Sequence, residues 1–199
     1  LPGMPVPRGS PGARERFAFD VVVVGGGIAG LSAALSAHEA GASVVLIEKA
    51  PRAERGGNTR FADAQMRFPH EADEYGPRDY SVEDMYRDLM RISQGRANPD
   101  LIRTLCENAR DTAEWLTAMG LEWEKGYPHT AGYRRSPASG GQGLVDLLFR
   151  RLEGLGVAIS YETAARDLLV DEAGAVRGVR CIGPEGVLDV EAAGGVVLA

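Results

Sequence analysis

The chain has 199 residues, of which 44% are hydrophobic and 25% charged, and its formal net charge is −6. That length suits one domain, or one domain with a small added layer, and leaves enough chain to bury a true core. The acidic balance speaks against a nucleic-acid partner, and no apolar run reaches the length of a transmembrane helix.

Cys106 and Cys181 stand far apart and in no metal-binding or redox spacing. They read as small buried hydrophobes in a reducing compartment. The leading segment lacks the continuous apolar core of a secretion signal, so the expectation is a cytoplasmic protein.

Residues 1–16 hold four prolines and three glycines with little to bury. The sequence therefore predicts a flexible N-terminal extension over 1–19 and a single domain over 20–199. Val21 to Val24 are four consecutive β-branched residues, the mark of a short strand buried on both faces.

That strand runs into Gly25, Gly27 and Gly30, which satisfy G-x-G-x-x-G with Ile28 and Ala29 between them. Gly25 allows a sharp turn off the strand, Gly27 removes a side chain that would hold a pyrophosphate away from the backbone, and Gly30 permits close packing of helix on sheet. The helix that starts inside the motif offers its free N–H groups and positive dipole end to phosphates. Ile28, Leu31, Ala34 and Leu35 give it one apolar face, and Gly41 stops it. A second strand over Ala42–Ile47 ends on Glu48, where a carboxylate can take both hydroxyls of an adenosine ribose and repel a 2′-phosphate. Strand, glycines, helix, strand and acid in this order point to a dinucleotide.

Gly56 and Gly57, followed by Asn58 and Thr59, make a second stretch of bare backbone beside short hydrogen-bonding side chains. Such a loop can pass close to a diphosphate or a polar ring system, or it can be a surface turn. Residues 61–80 read as loop, and His70 within them as a solvent-exposed histidine. A helix is expected over Ser81–Ser93, capped by Ser81 with Asp84 completing the box. A longer one starts at Asn98 and Pro99 and stops at Gly120, with Leu101, Leu105, Ala109, Leu116 and Met119 as its inner stripe and Trp115 as core.

Leu121 to Ser139 carries Trp123, Tyr127, His129, Tyr133, Arg134 and Arg135 and reads as a loop over the domain surface, with an anionic substrate as the alternative reason for the arginines. After Gly140, Gly141 and Gly143 comes a helix with Leu144, Leu147, Leu148 and Leu152 facing inward. The strand GVAISYE follows, then a three-stranded antiparallel meander, then GGVVLA as a further buried parallel strand.

Gly25 to Gly30, Glu48-Lys49 and Arg55-Gly56-Gly57-Asn58-Thr59-Arg60 together resemble the flavoprotein family of fumarate reductases, succinate dehydrogenase flavoprotein subunits and 3-ketosteroid dehydrogenases, and within it most nearly the tricarballylate dehydrogenase type. The resemblance spans residues 20–199. It implies an α/β fold: a Rossmann-like FAD-binding domain with a parallel sheet, a helical insertion and the meander, incomplete relative to the family. It also implies bound FAD, with the first glycines, Gly25, Gly27 and Gly30, at the pyrophosphate, Glu48 at the adenosine ribose, Gly56, Gly57, Asn58 and Thr59 near the flavin, and Ala164 and Ala165 at the adenine, and it adds Ile28, Ala29 and Lys49 to the cofactor-binding residues. The surroundings of His70 do not resemble the family's covalent attachment motif, so noncovalent FAD is expected.

The implied activity is oxidoreduction across a carbon–carbon bond of a small carboxylate. Family members supply the substrate-binding and proton-moving residues from a capping domain beyond Ala199, so no catalytic residue is assigned, and neither a metal site nor a particular redox partner is indicated. A nicotinamide-dependent reductase is the first alternative, although no Tyr-x-x-x-Lys pattern is found. A non-catalytic dinucleotide-binding module is the second.

Overall fold

The structure, a computed structural model, describes residues 15–74, 78–124 and 135–199. The expected extension before Glu15 and the positions Tyr127, His129, Tyr133 and Arg134 lie outside the described residues. Residues up to Phe61 together with Leu148–Ala199 form one compact unit, and Ala62–Leu147 form a second.

The first unit is built on a six-stranded sheet. Its strands are β1 (Glu15–Val24), β2 (Val44–Ile47), β3 (Ala158–Ser160), β4 (Ala164–Val170), β5 (Val176–Gly183) and β6 (Gly186–Leu198), in the spatial order β3-β2-β1-β6-β5-β4. The pairs β3–β2, β2–β1 and β1–β6 are parallel, while β6–β5 and β5–β4 are antiparallel. Helix α1 (Ile28–Glu39) is the crossover from β1 to β2, and Leu31, Ala34 and Leu35 on it are fully buried. Alternate strand residues serve opposite faces. Phe17, Val22, Val45, Ile47, Val179, Cys181 and Val190 gather in one cluster. Each fully buried aliphatic side chain stabilises by about 1.5–3 kcal/mol, so the valine run anchors the strand on which the first glycine turn is hung.

Two strand expectations change. β1 begins at Glu15, not after residue 19, because Glu15–Phe19 pairs with Leu188–Ala192 and Phe17 is buried in the cluster. The meander's third strand and the final parallel strand are also one element. β6 holds β5 with its first half and β1 along nearly its whole length, with a register shift opposite Phe19 and Val21. Its last residues pair parallel with β1 as expected but are not fully buried: Gly195–Val197 are half-buried and Leu198 is 65% exposed.

Polar groups fix the registers. Asp20 Oδ2 accepts hydrogen bonds from the Ser43 amide (2.8 Å) and hydroxyl (2.6 Å), tying the middle of β1 to the residue just before β2, where their pairing begins. These bonds hold the Asp20 carboxyl below its ordinary pKa. Across β5 and β6, Arg180 grips Asp189 with two bonds of 2.7 and 2.9 Å. Burial pushes the neighbouring Cys181 thiol up to about 11, with Asp189 adding to it. Both cysteines are buried and unpaired with each other, as expected.

The second unit carries α2 (Val82–Ile92) and α3 (Pro99–Ala118). Ser81 and Asp84 close the expected capping box, and the Asn98 side chain accepts from the Asp100 and Leu101 amides ahead of Pro99. The inner face of α3 keeps Ala109 and Leu116 of the predicted stripe but differs in its first turns. There Ile102 and Cys106 face inward, with Ala113 further on, whereas Leu101 and Leu105 are 68% and 51% exposed. Arg103 of α3 grips Glu83 of α2 and lies 3.9 Å from the Tyr86 ring centroid.

His70 is buried, not exposed as predicted. Its backbone pairs with Tyr80, its Nδ1 lies 3.0 Å from the Phe68 carbonyl oxygen, and its ring sits near those of Phe68 and Tyr80. Burial also raises the Tyr80 hydroxyl to about 12. Arg135 is likewise buried and pairs with Asp73 at 2.8 Å, where a surface loop was expected; its backbone exchanges hydrogen bonds with Met66. Helix α4 (Gly140–Gly154) starts at the glycines rather than after them, and its inward residues are Leu144, Val145, Leu148, Phe149 and Leu152. No helix among the described residues is long and apolar enough to cross a membrane.

Candidate functional site

At the C-terminal ends of β1 and β2 the chain makes two glycine-bearing loops that face one cavity of about 560 Å³. The first loop leaves β1 at Gly25, whose amide donates to the Ile47 carbonyl at 2.8 Å and whose φ is +104°. A side chain is excluded there twice over, because a Cβ would collide with the Ala199 carbonyl oxygen and the positive φ disfavours L residues. Gly27 is the N-cap of α1 and has no side chain of its own to cap the helix. A Cβ on Gly27 would find its nearest neighbour, Thr59 Oγ1, at 3.8 Å, so this backbone faces open space. Gly30 does not line the cavity. It lets α1 press against the turn, since a Cβ there would run into the Gly25 carbonyl.

The second loop is a pair of single turns, Arg52–Glu54 and Gly57–Phe61. Gly56 is buried at its root with φ +108°, and Gly57 follows at +53°. The two loops meet where the Ile28 amide donates to Thr59 Oγ1 at 3.1 Å and where a Cβ on Gly57 would lie 3.9 Å from Gly27 Cα. Glycine at 27 and 57 therefore leaves main chain bare on both sides of the gap.

Glu48 is the fixed charge of the site. It is 5% exposed; Oε2 accepts from the Gly26 amide and Oε1 from the Ala50 amide, both at 2.8 Å. Its own amide and carbonyl bond to Ser160 and Thr163. A carboxylate held by two amides, on a residue whose own backbone is also bonded, has one orientation, and each oxygen keeps a lone pair for a further donor. Thr163, Ala164 and Ala165 close the far wall, with Thr163 fixed by its hydroxyl's bonds to Ser160 and Tyr161.

Gly25, Gly27, Ile28, Ala29, Glu48, Lys49, Gly57, Asn58, Thr59 and Ala165 thus line one cavity, while Gly30 and Gly56 shape its walls from behind. Sequence reasoning missed Gly26 and Thr163. The signal for Gly26 was present in the run of three glycines: a Cβ at 26 would collide with Glu48 Oε2 and lie 2.8 Å from Phe149 Cζ. Nothing in the sequence singles out Thr163.

Behind the loops, Arg55 NH1 donates to Glu153 Oε1 (2.9 Å) and to the Tyr161 hydroxyl (2.8 Å), and the guanidinium lies 4.3 Å from the Phe149 ring centroid. Burial lowers the Arg55 pKa, but Tyr161 and Glu153 outweigh it and leave it above the ordinary value. Burial likewise raises the Tyr161 hydroxyl, against the opposing pull of Arg55.

The chain is similar to known proteins. The FAD binding domain family matches residues 20–199. A fumarate reductase (cytochrome) from Shewanella frigidimarina is 34% identical over 167 residues, covering 80% of this chain and 29% of that protein. The NADH:fumarate oxidoreductase of Klebsiella pneumoniae is 34% identical over 180 residues, covering 84% and 18%. Urocanate reductase from Eggerthella lenta is 36% identical over 171 residues, covering 81% and 28%. The chain therefore spans less than a third of the length of these relatives. Among solved structures, a 3-ketosteroid-Δ4-(5α)-dehydrogenase from Rhodococcus jostii superposes with a TM-score of 0.81 at 24% identity, covering 96% of this chain and 48% of that one. The open form of a flavocytochrome c3 fumarate reductase gives 0.77 at 25% identity, covering 92% and 33%. With residues 20–199 matched by the family model and fumarate reductases among the relatives, the protein belongs to the FAD binding domain family.

Proposed function

We propose that the chain is the FAD-holding portion of an oxidoreductase that moves two hydrogens onto or off a carbon–carbon bond beside a carboxylate. The observation that carries the cofactor half is the convergence of both glycine loops and Glu48 on one cavity. The residues fit the group. Bare backbone at Gly27 and Gly57, and a helix end whose N-cap residue carries no side chain, suit a diphosphate. The two Glu48 oxygens suit ribose hydroxyls, and the wall of Thr163, Ala164 and Ala165 suits an adenine. When bound, the flavin supplies the hydride chemistry. The chain's residues bind and orient it.

The noncovalent mode rests on the sequence around His70, which does not resemble the family's covalent attachment motif. Buried, unpaired cysteines favour a reducing, cytoplasmic setting. The substrate half rests on the relatives, whose names specify the unsaturated carboxylates fumarate and urocanate. The motif's likeness to the tricarballylate dehydrogenase type adds a small tricarboxylate to this class.

The test supplies the natural polypeptide that contains this chain, loaded with FAD, with a reduced dye and offers fumarate, urocanate and an unsaturated tricarboxylate in turn. Dye oxidation that depends on one of them, with two electrons and two protons added across its double bond, is the expected result. Stably bound flavin with no dye oxidation on any unsaturated carboxylate would overturn the substrate assignment and leave the cofactor assignment standing.

A further inference from the structure

The second glycine loop has little of its own to hold it in shape. The turn Gly57–Phe61 buries none of its residues, Phe61 is 80% exposed, and Gly56 and Gly57 both sit at positive φ, where glycine is freest. If the loop were loose in the unbound chain, ordering it on binding would be subtracted from affinity. Arg55, immediately before Gly56, is placed to prevent this. Its side chain is 11% exposed and is held on three sides, by Glu153, by the Tyr161 hydroxyl and by the Phe149 ring. Glu153 also takes Arg52 at 2.9 Å, so the preceding turn is tied to the same post. Phe149 is fully buried and is the ring that occupies the space left by the missing side chain of Gly26. One end of α4 thus backs the first glycine loop through Phe149 and the second through Arg55.

We infer that Arg55 is a positioning residue for the cofactor: it presets the Gly56–Thr59 backbone so that the loop meets the dinucleotide already ordered. The inference rests on the reading of the cavity as the FAD site, and its test keeps the two apart. The full chain is titrated with FAD as wild type, Arg55→Met and Arg55→Lys, and hydrogen exchange is followed in each unbound protein. Arg55→Met is expected to weaken FAD roughly ten- to fiftyfold, the scale of losing preorganisation in one loop, and to speed exchange at Gly56–Thr59 selectively. Arg55→Lys is expected to fall between, because an ammonium keeps the attraction to Glu153 but lacks the flat fork that reaches Tyr161 while stacking on Phe149.

A merely structural arginine would lower Tm while leaving, well below Tm, both FAD affinity and loop exchange as in wild type; that outcome overturns the inference. Should Arg55→Met fail to fold, Arg55→Lys decides by the same two readouts. Should wild type itself ignore FAD, the reading of the cavity fails, and the exchange pattern alone still decides whether Arg55 sets the loop.

Discussion

Gly30→Ala is expected to destabilise the protein by about 3 kcal/mol, the upper range for forcing atoms into a packed site. The new Cβ would collide with the Gly25 carbonyl oxygen and lie 3.0 Å from its carbon. Both neighbours are main chain, so the clash can be relieved only by lifting α1 off the turn or by bending the turn itself, and no rotamer can escape it. At about 2–4 °C per kcal/mol for a chain of this size, Tm should fall by about 6–12 °C in a thermal melt. Gly195→Ala is the control: it lies in β6 with ordinary φ and nothing within 4 Å of its Cβ position, so a change within about 0.5 kcal/mol is expected. Equal melting of Gly30→Ala and wild type would show that the helix does not sit on the turn as described.

Glu48→Ala should have the larger effect on binding. Two amides, those of Gly26 and Ala50, lose their acceptor at once. A buried donor left without a partner costs about 1–3 kcal/mol, and at Gly26 that loss acts on the first glycine turn. On the proposed reading of the cavity, the ribose loses its two acceptors in the same step. FAD affinity is expected to drop by at least about a hundredfold, equivalent to about 2.7 kcal/mol, read by fluorescence titration, with a fall in Tm alongside. Glu48→Gln preserves the shape but must turn an NH₂ group toward one of the two amides, so it should be nearly as damaging. A Gln variant that binds FAD like wild type would show that the acid is only a spacer.

These two positions also show why part of the molecule was legible from its sequence. Gly25, Gly27, Gly30 and Glu48 answer to local demands, a positive φ, a bare amide, a close approach and a charge at a strand end, and each demand leaves few residue types. Ser81 with Asp84, and Asn98 with Pro99, are legible for the same reason.

What escaped depends on partners distant in sequence. Glu15–Phe19 alternates weakly and becomes a strand because Leu188–Ala192 lies beside it. His70 has no local signal for burial; Phe68, Tyr80 and the pairing of residues 70 and 80 bring it inside. On α3 the choice between Leu101 and Ile102 as the inner face turns on Cys106, a small side chain that packs against Met85 and Tyr80. The support behind the second glycine loop is of the same kind, since Arg55, Phe149, Glu153 and Tyr161 come from three separate stretches of chain.

The most direct test is titration of the purified chain with FAD, followed by flavin fluorescence, with ADP as competitor. The account requires saturable binding of one FAD per chain, displaced by ADP because the adenosine diphosphate half fills the cavity between Gly25 and Ala165. Fluorescence that never saturates, or saturates but ignores both ADP and the loss of the Glu48 carboxylate, would contradict it.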